Sequence, residues 1–475
     1  MNGMSITLGP QVRVRQDGRV LVSTRSGRAV RLRPVAERTL VAGGGRGFPV
    51  IDPTSAALAG ALLDRDLATP IWTPPSAPLT DLTVVIPVRD RVDALARLLD
   101  ALPPVAQVLV VDDGSRRPDL VRAAAQARHA SVLHRPVCGG PAAARNMGLR
   151  AVRTPFVAFL DSDVVPEPTA LGRLRRHLDN PAVAIVGPRV LGLHQGVGPH
   201  TRPGWIARYE HARSSLDLGD QPGRVAPGSR LSYLPSAAMV ARADALEDGF
   251  DESMRVAEDV DLVWRVTDRG WSVRYCPEAR VRHEHRVRLR PWLLRRADYG
   301  TGAALLAQRH GSRVAPARFT PTAAMLGLGL LSGRKWGRVL AGCALAAEWA
   351  TLARRGGWVN PLLATKLTLA SAAATTGQVG SLITRHHWPL FAGAMLASRR
   401  VRRVVAVAAC AEAAIDYARV RPRLGLPAYL VARRLDDAAY GWGVWVGAWR
   451  ARSGAALRPE WLRNRALTAG PARRP

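Results

Sequence analysis

The sequence predicts an α/β protein. A mostly parallel, Rossmann-like sheet is expected, preceded by a small winged-helix-like module and followed by a helical region. Three observations predict it. Over residues 82–165, continuous apolar runs alternate with amphipathic segments, the βαβ pattern of a doubly wound parallel sheet. Residues 1–75 combine short alternating segments with two of helical spacing. After residue 300, Ala-rich apolar stretches lie between Arg clusters. A chain of 475 residues accommodates about three domains.

In chain order, QVRVRQDGRVLVSTRSGRAVRLRP alternates around Asp17-Gly18 and Ser26-Gly27, which predicts two hairpin turns joining three strands. PVAERTLVAG and PTSAALAGALLDRDLATP then read as helices with Pro and Ser or Thr at their starts. The Pro-rich stretch ending at 76–81 reads as a linker. LTVVIPV and AQVLVVDDGS are strands buried on both faces, SVLHRPV a third and FVAFLDSDVVP a fourth. RVDALARLLDAL, DLVRAAAQARHA and GPAAARNMGLRAV are the intervening helices. An α/β domain is expected over 82–300 and the Ala/Arg-rich helical region over 301–475. Its apolar helices carry interrupting Glu, Lys or Gln, which leaves a membrane span marginal.

Lys and Arg number 68 against 37 Asp and Glu, a net +31, and only Lys335 and Lys366 are lysines. Such an excess attracts anions: nucleic acid, phosphorylated substrates or an acidic membrane surface. A coding bias toward Arg and Ala explains it equally well. The basic residues are spread along the chain and aromatics are 5%, thin for base stacking, so no nucleic-acid partner is expected. Four distant cysteines without a CxxC exclude zinc fingers, ferredoxins and disulfide scaffolds, and suit a reducing compartment. The N-terminal stretch has no signal-peptide core, so a cytoplasmic location is expected.

In open α/β sheets, ligands bind beyond the carboxyl ends of the strands. Two acidic groups end strands there: Asp112 and Asp113 in VVDDGS, and Asp161 and Asp163 in FLDSDVV. Carboxylates one residue apart suit a hard divalent cation that also binds substrate phosphates. A third cluster, AEDVDLVWRV, places Glu258 and Asp259 at a helix start, where Asp259 suits a general base and Asp261 a capping role. The loop CGGPAAARNMG and Arg145 suit a phosphate, although the loop has neither the P-loop spacing nor GxGxxG. His283 or His285 in VRHEHR could add an imidazole to the metal. Together these are the parts of a nucleotide-sugar transferase with one displacement, hence inversion. A nucleotidyltransferase is disfavoured, because PVRDRVDAL lacks a Gly- and Arg/Lys-rich loop after the first strand.

The ordered motifs TVVIPVRDR, VLVVDDGS, RPVCGGPAAARNMGL, FVAFLDSDVVP and GFDESMRVAEDVDLVWRV resemble those of family 2 of the inverting glycosyltransferases, over about residues 82–290. That resemblance implies a GT-A fold and a UDP-sugar donor. It implies nucleotide-sugar contacts through Pro87, Arg89, Asp112, Asp113, Arg145 and Asp161. It further implies Mg2+ or Mn2+ on Asp161 and Asp163, with Asp259 as base and Glu258, Arg265 and Ser236 in support. The QxxRW motif of processive members is absent.

Beyond that core, RYEHARSSLDLG, GSRLSYLPSAAM, RADYGTGAALLAQRH and the tail resemble the glycosyltransferases of the mycofactocin system of actinobacteria. This implies glucose transfer from UDP-glucose to a peptide-derived redox cofactor, building a short β-linked chain. Residues 1–75 also resemble PqqD-type modules, which implies a precursor peptide or peptide-binding partner. The alternative within the same family is a lipid-phosphate or cell-envelope acceptor at an anionic membrane, with the C-terminal helices attached to its inner face.

Overall fold

A computed structural model describes residues 4–15, 19–23, 29–72, 78–193, 203–354 and 361–462. The chain divides into two compact units: residues 1–9 with 38–286, and residues 10–37 with 287–475.

The first unit is built on a mixed nine-stranded sheet. Its strands are β1 (Leu79–Val88), β2 (Val105–Asp113), β3 (Ser131–Arg135), β4 (Phe156–Leu160), β5 (Val164–Pro166), β6 (Val183–Gly192), β7 (Gly223–Val225), β8 (Ala238–Arg242) and β9 (Ser272–His283). Helices α1 (Val92–Asp100), α2 (Pro118–Gln126), α3 (Pro141–Ala151), α4 (Ala170–His177), α5 (Trp205–Arg213) and α6 (Glu258–Asp268) connect them. The order is β5-β9-β6-β8-β4-β1-β2-β3, with β7 on β9. The run β4-β1-β2-β3 is parallel, as the continuous apolar strands predict. Past β4 the sheet is mixed: β8 runs against both β4 and β6, whereas β6 and β9 are parallel. This unit has the GT-A architecture.

One face of the sheet buries Leu82, Val84 and Ile86 against Leu95 and Leu98 of the strongly amphipathic α1. On the other face α3 lies close because Gly148 has no side chain. A Cβ there would stand 2.3 Å from Val85 Cγ1. The expected fourth strand is two strands. It stops at Leu160 and resumes at Val164, since the Val164 N–H donates to the Asp161 carbonyl (3.0 Å) and closes a tight turn. Asp161 and Asp163 therefore lie in a turn at the strand end.

Residues 1–75 are shared between the units. The three antiparallel strands predicted around the two hairpins form over Val12–Arg15, Val20–Ser23 and Ala29–Arg31, while the turn residues themselves lie outside the described set. Val20 and Val22 are buried against Leu363, Ala364 and Leu367, which places this small sheet in the second unit. Met4–Leu8 instead pairs with Gly47–Pro49 and Ala68–Trp72 in the first unit. The predicted helices form over Pro34–Ala42 and Pro53–Asp64, the latter with a capping box from Asp52 and Ser55. Of the expected linker, residues 79–81 belong to β1 and 76–77 are outside the described set.

The rest of the second unit is helical apart from a short parallel pairing of Arg318–Phe319 with Glu460–Trp461. The expected boundary at residue 300 falls inside one helix, Leu289–His310. That helix packs on Leu426–Arg450 through small residues: a Cβ on Gly443 would stand 1.9 Å from the Ala297 carbonyl oxygen. Buried ion pairs join the bundle, including Arg296 with Asp436 (3.1 Å) and Arg385 with Asp437 (2.9 Å). All four cysteines are free thiols. Among the described residues, no helix is long and apolar enough to cross a membrane.

Candidate active site

The carboxyl ends of β1, β2 and β4 carry the residues that the motifs single out. Asp112 and Asp113 end β2 and are both buried. Asp112 accepts from the Ser115 N–H (3.1 Å) and faces His134 Nδ1 (2.9 Å). Asp113 accepts from Arg135 Nε (3.0 Å), from the Gly139 and Gly140 N–H groups (2.9 and 2.8 Å) and from the Cys138 thiol (3.2 Å). The glycine loop was expected to leave its N–H groups free for phosphate. Instead Gly139 and Gly140 donate to Asp113, because the loop meets the carboxyl end of β2. Pro87 lies opposite Val111 in the sheet and is half-buried. Arg89 is exposed and donates to Cys138 Sγ (3.2 Å).

A second group gathers around Arg145, which is only 2% exposed. Its Nη2 donates to Asp161 (2.6 Å) and its Nη1 to Glu258 (3.0 Å). Arg145 is therefore a clamp between the β4 turn and the start of α6, and it reaches the site through those carboxylates. Asp259 lies next to Glu258 and is half-buried. Its Oδ2 accepts from the Ser236 N–H (3.0 Å) and its Oδ1 from the Val260 N–H (2.8 Å), which fixes the plane of the carboxylate. Arg265 holds a different place. It pairs with buried Asp261 (2.8 Å) one turn earlier and donates to the Gly249 carbonyl (2.6 Å), anchoring the loop before α6.

A third group surrounds Asp163. Arg91 Nη1 donates to its Oδ2 (2.5 Å), and His283 Nε2 stands 3.4 Å from its Oδ1. Of the two candidate histidines, His283 faces the carboxylate, while His285 packs beside it with ring centroids 5.6 Å apart. The structure thus joins Asp161, Glu258, Asp259, Arg145 and Ser236 in one network. It separately joins Asp163 to His283, and Asp112 and Asp113 to the glycine loop.

The model of glycosyl transferase family 2 matches residues 83–231. The chain is 42% identical, over 97% of its length and 98% of the relative's, to the Pre-mycofactocin glycosyltransferase of Mycobacterium tuberculosis. This chain belongs to glycosyltransferase family 2, in the group of the pre-mycofactocin glycosyltransferases. It is also 31% identical, over 40% of its length and 81% of the relative's, to an uncharacterized glycosyltransferase of Mycobacterium bovis. A solved mannosyltransferase of Pyrobaculum calidifontis, in complex with GDP-Man and Mn2+, matches with 18% identity and a TM-score of 0.37, covering 75% of this chain and 87% of that one.

In this glycosyltransferase one buried guanidinium serves two carboxylates, Asp161 and Glu258. The consequence falls on Glu258. Burial, then the adjacent Asp259 charge, pushes its pKa up to about 7 against the pull of Arg145. A raised carboxylate pKa means that ionisation costs folding stability. The cost is absent below the ordinary value of 4.5 and complete above about 7. Relative to the Glu258→Gln variant, which has no proton to lose, the wild-type urea midpoint is expected to fall between those values. Parallel curves from pH 4 to 8 would contradict this coupling.

Some of the glycosyltransferase's supporting residues carried weaker signals. Asn146 follows Arg145, donates to the Phe250 carbonyl (2.7 Å) and to Glu252 (2.9 Å), and accepts from the Phe250 N–H (2.8 Å). An Arg-Asn pair inside an Ala-rich helix was the available clue. Trp264 Nε1 donates to the Ser232 carbonyl (2.6 Å), tying α6 to the segment that holds Ser236. Ala257, just before α6, has φ +65°. A non-glycine residue there is strained and aims the start of α6 at Arg145.

Proposed function

We propose that this chain transfers glucose from UDP-glucose, with inversion, to a hydroxyl of a peptide-derived redox cofactor precursor, and adds several β-linked units. The observation that carries the reading is that one buried guanidinium, Arg145, joins Asp161 of the β4 turn to Glu258, beside which Asp259 is held by the Ser236 and Val260 N–H groups. The near full-length likeness to a protein named for glycosylating pre-mycofactocin supports the acceptor. Family resemblance supports the donor.

Asp259 is the proposed base. Held by two backbone N–H groups, it keeps an oxygen lone pair for the acceptor hydroxyl and takes its proton. The hydroxyl oxygen then forms a bond to the anomeric carbon as the bond to UDP breaks, and UDP leaves with the electron pair. A single displacement from the opposite face inverts the anomeric centre. Asp112 and Asp113 shape the nucleoside end by locking β2 to the loop 138–140. Exposed Arg89 suits the diphosphate by its charge.

Of the two expected metal carboxylates, Asp161 is taken up by the Arg145 guanidinium, whereas Asp163 lies beside Arg91 and 3.4 Å from His283 Nε2, so the donor set for a cation is Asp163 with His283. Among the described residues no three His, Cys, Asp or Glu side chains are grouped to hold an ion alone. A two-residue set fits Mg2+ or Mn2+, which keep waters and share substrate phosphates. Asp163 and His283 would hold the ion, whose charge would neutralise the departing diphosphate.

Mass spectrometry of products from the purified chain, with a panel of UDP-sugars and acceptors, tests the reading. Hexose increments on the peptide-derived acceptor with UDP-glucose are expected, abolished by EDTA and restored by Mn2+ or Mg2+. Sugar transfer to a polyprenyl phosphate but not to that acceptor would overturn the acceptor assignment. Turnover insensitive to EDTA would overturn the metal.

A further inference from the structure

We infer that the helices Lys335–Ala353, Trp388–Ala397 and Arg399–Val420 form a face that lies in the plane of an anionic lipid surface. A water-facing helix turns its polar side outward. Arg399–Val420 is inverted. Beyond Arg403 its exposed residues are Ala406, Val407, Cys410, Ala411, Ala414, Ile415, Ala418 and, in its last turn, Arg419, with Val407 68% and Ile415 64% exposed. Its acids turn inward instead: Glu412 pairs with Arg433 (2.6 Å) and with Arg434, and Asp416 accepts from the Tyr429 hydroxyl (2.6 Å). Ala413 is its only buried residue.

Two other helices repeat the pattern, Trp388–Ala397 just before it in the chain and Lys335–Ala353 further upstream. Trp388–Ala397, WPLFAGAMLA, buries no residue, and its Leu396 is 87% exposed. Lys335–Ala353 buries only Gly337 and Ala344 and presents Trp336, Val339 and Cys343 at helical spacing. Trp388–Ala397 packs against Arg399–Val420, and exposed apolar surface on neighbouring helices of this kind marks an interaction site.

Charge selects the occupant. Residues 321–420 contain twelve Lys and Arg against three Asp and Glu, a net +9. Arg399, Arg400, Arg402 and Arg403 are exposed at the head of the inverted helix. A second copy would bring the same cations to the contact, in a chain already carrying +31, so like charge opposes self-association. An anionic bilayer supplies both an acidic headgroup layer for the Arg cluster and hydrocarbon for Val407, Ile415 and Leu396. With no crossing helix among the described residues, the geometry is that of helices lying in the interface. Nothing in this inference depends on the reaction proposed above.

Flotation of the full chain with vesicles tests it. Binding is expected when phosphatidylglycerol is mixed into phosphatidylcholine, and little to phosphatidylcholine alone. A solvatochromic dye on Cys410, in a C138S/C343S background, should shift to the blue on anionic vesicles. The triple variant L396Q/V407Q/I415Q changes only exposed side chains. It should keep the thermal midpoint and lose about tenfold or more in partitioning. No flotation with anionic vesicles at low salt, or equal flotation of the triple variant, would overturn the inference. So would a dimer by light scattering that the triple variant dissociates, since a second copy would then cover this face.

Discussion

Asp259→Asn is expected to lower the rate of sugar transfer by about 10²- to 10⁴-fold, the range that a positioned general base contributes. The side-chain amide has nearly the same shape and keeps one oxygen to accept from the Ser236 or Val260 N–H. What it loses is the ability to take a proton. Because the carboxylate is only half-buried and the lost bond is a single backbone contact, the thermal midpoint should move by no more than a few degrees. Release of UDP, measured on the same preparation as the melt, checks both halves. Wild-type turnover would remove Asp259 from the proton transfer. A collapsed melt would make its two backbone contacts its main role. Asp163→Ala, which also leaves Arg91 without its partner, should reduce transfer and its response to added Mn2+ together.

Much of this was legible in the sequence because it depends on local chemistry. Continuous apolar runs predicted β1, β2 and β4, the last two ending in acids, and helical spacing predicted α1 and α3. The order of the motifs carried the family. Partnering was less legible. Nothing near Arg145 in the chain announces that its guanidinium is buried between Asp161 and Glu258, the second of which is 113 residues away. A basic residue beside a glycine loop reads as a phosphate ligand until the fold supplies nearer carboxylates. Asp113 was likewise read as a ligand contact, whereas much of its capacity serves the Gly139 and Gly140 N–H groups. Ala257 gives no sign of a left-handed backbone, since alanine has no preference for one. The division of residues 1–75 was hidden for a related reason. Strand patterning reports which residues alternate, but not that Val20 and Val22 are buried against Leu363, more than three hundred residues away.

Arg145→Met is expected to destabilise the fold by about 3–5 kcal/mol, the usual cost of removing one partner from a buried ion pair. Methionine fills part of the space and keeps an apolar contact for Phe250, whose ring lies 5.3 Å from the guanidinium carbon. It cannot donate to Asp161 or Glu258. Arg145→Lys is the informative companion. An ammonium preserves the charge but has no planar fork to span two carboxylates, so it should recover part of the stability while kcat stays low. The pH dependence separates electrostatics from packing. Without the guanidinium, the pKa of Glu258 rises further, because burial and Asp259 act unopposed. Protonation then relieves the variant in acid. Its deficit in urea midpoint relative to wild type should therefore shrink toward pH 5 and widen above pH 7. A deficit of equal size at both ends would mean that Arg145 contributes through its packing on Phe250 rather than by holding the β4 turn to the start of α6.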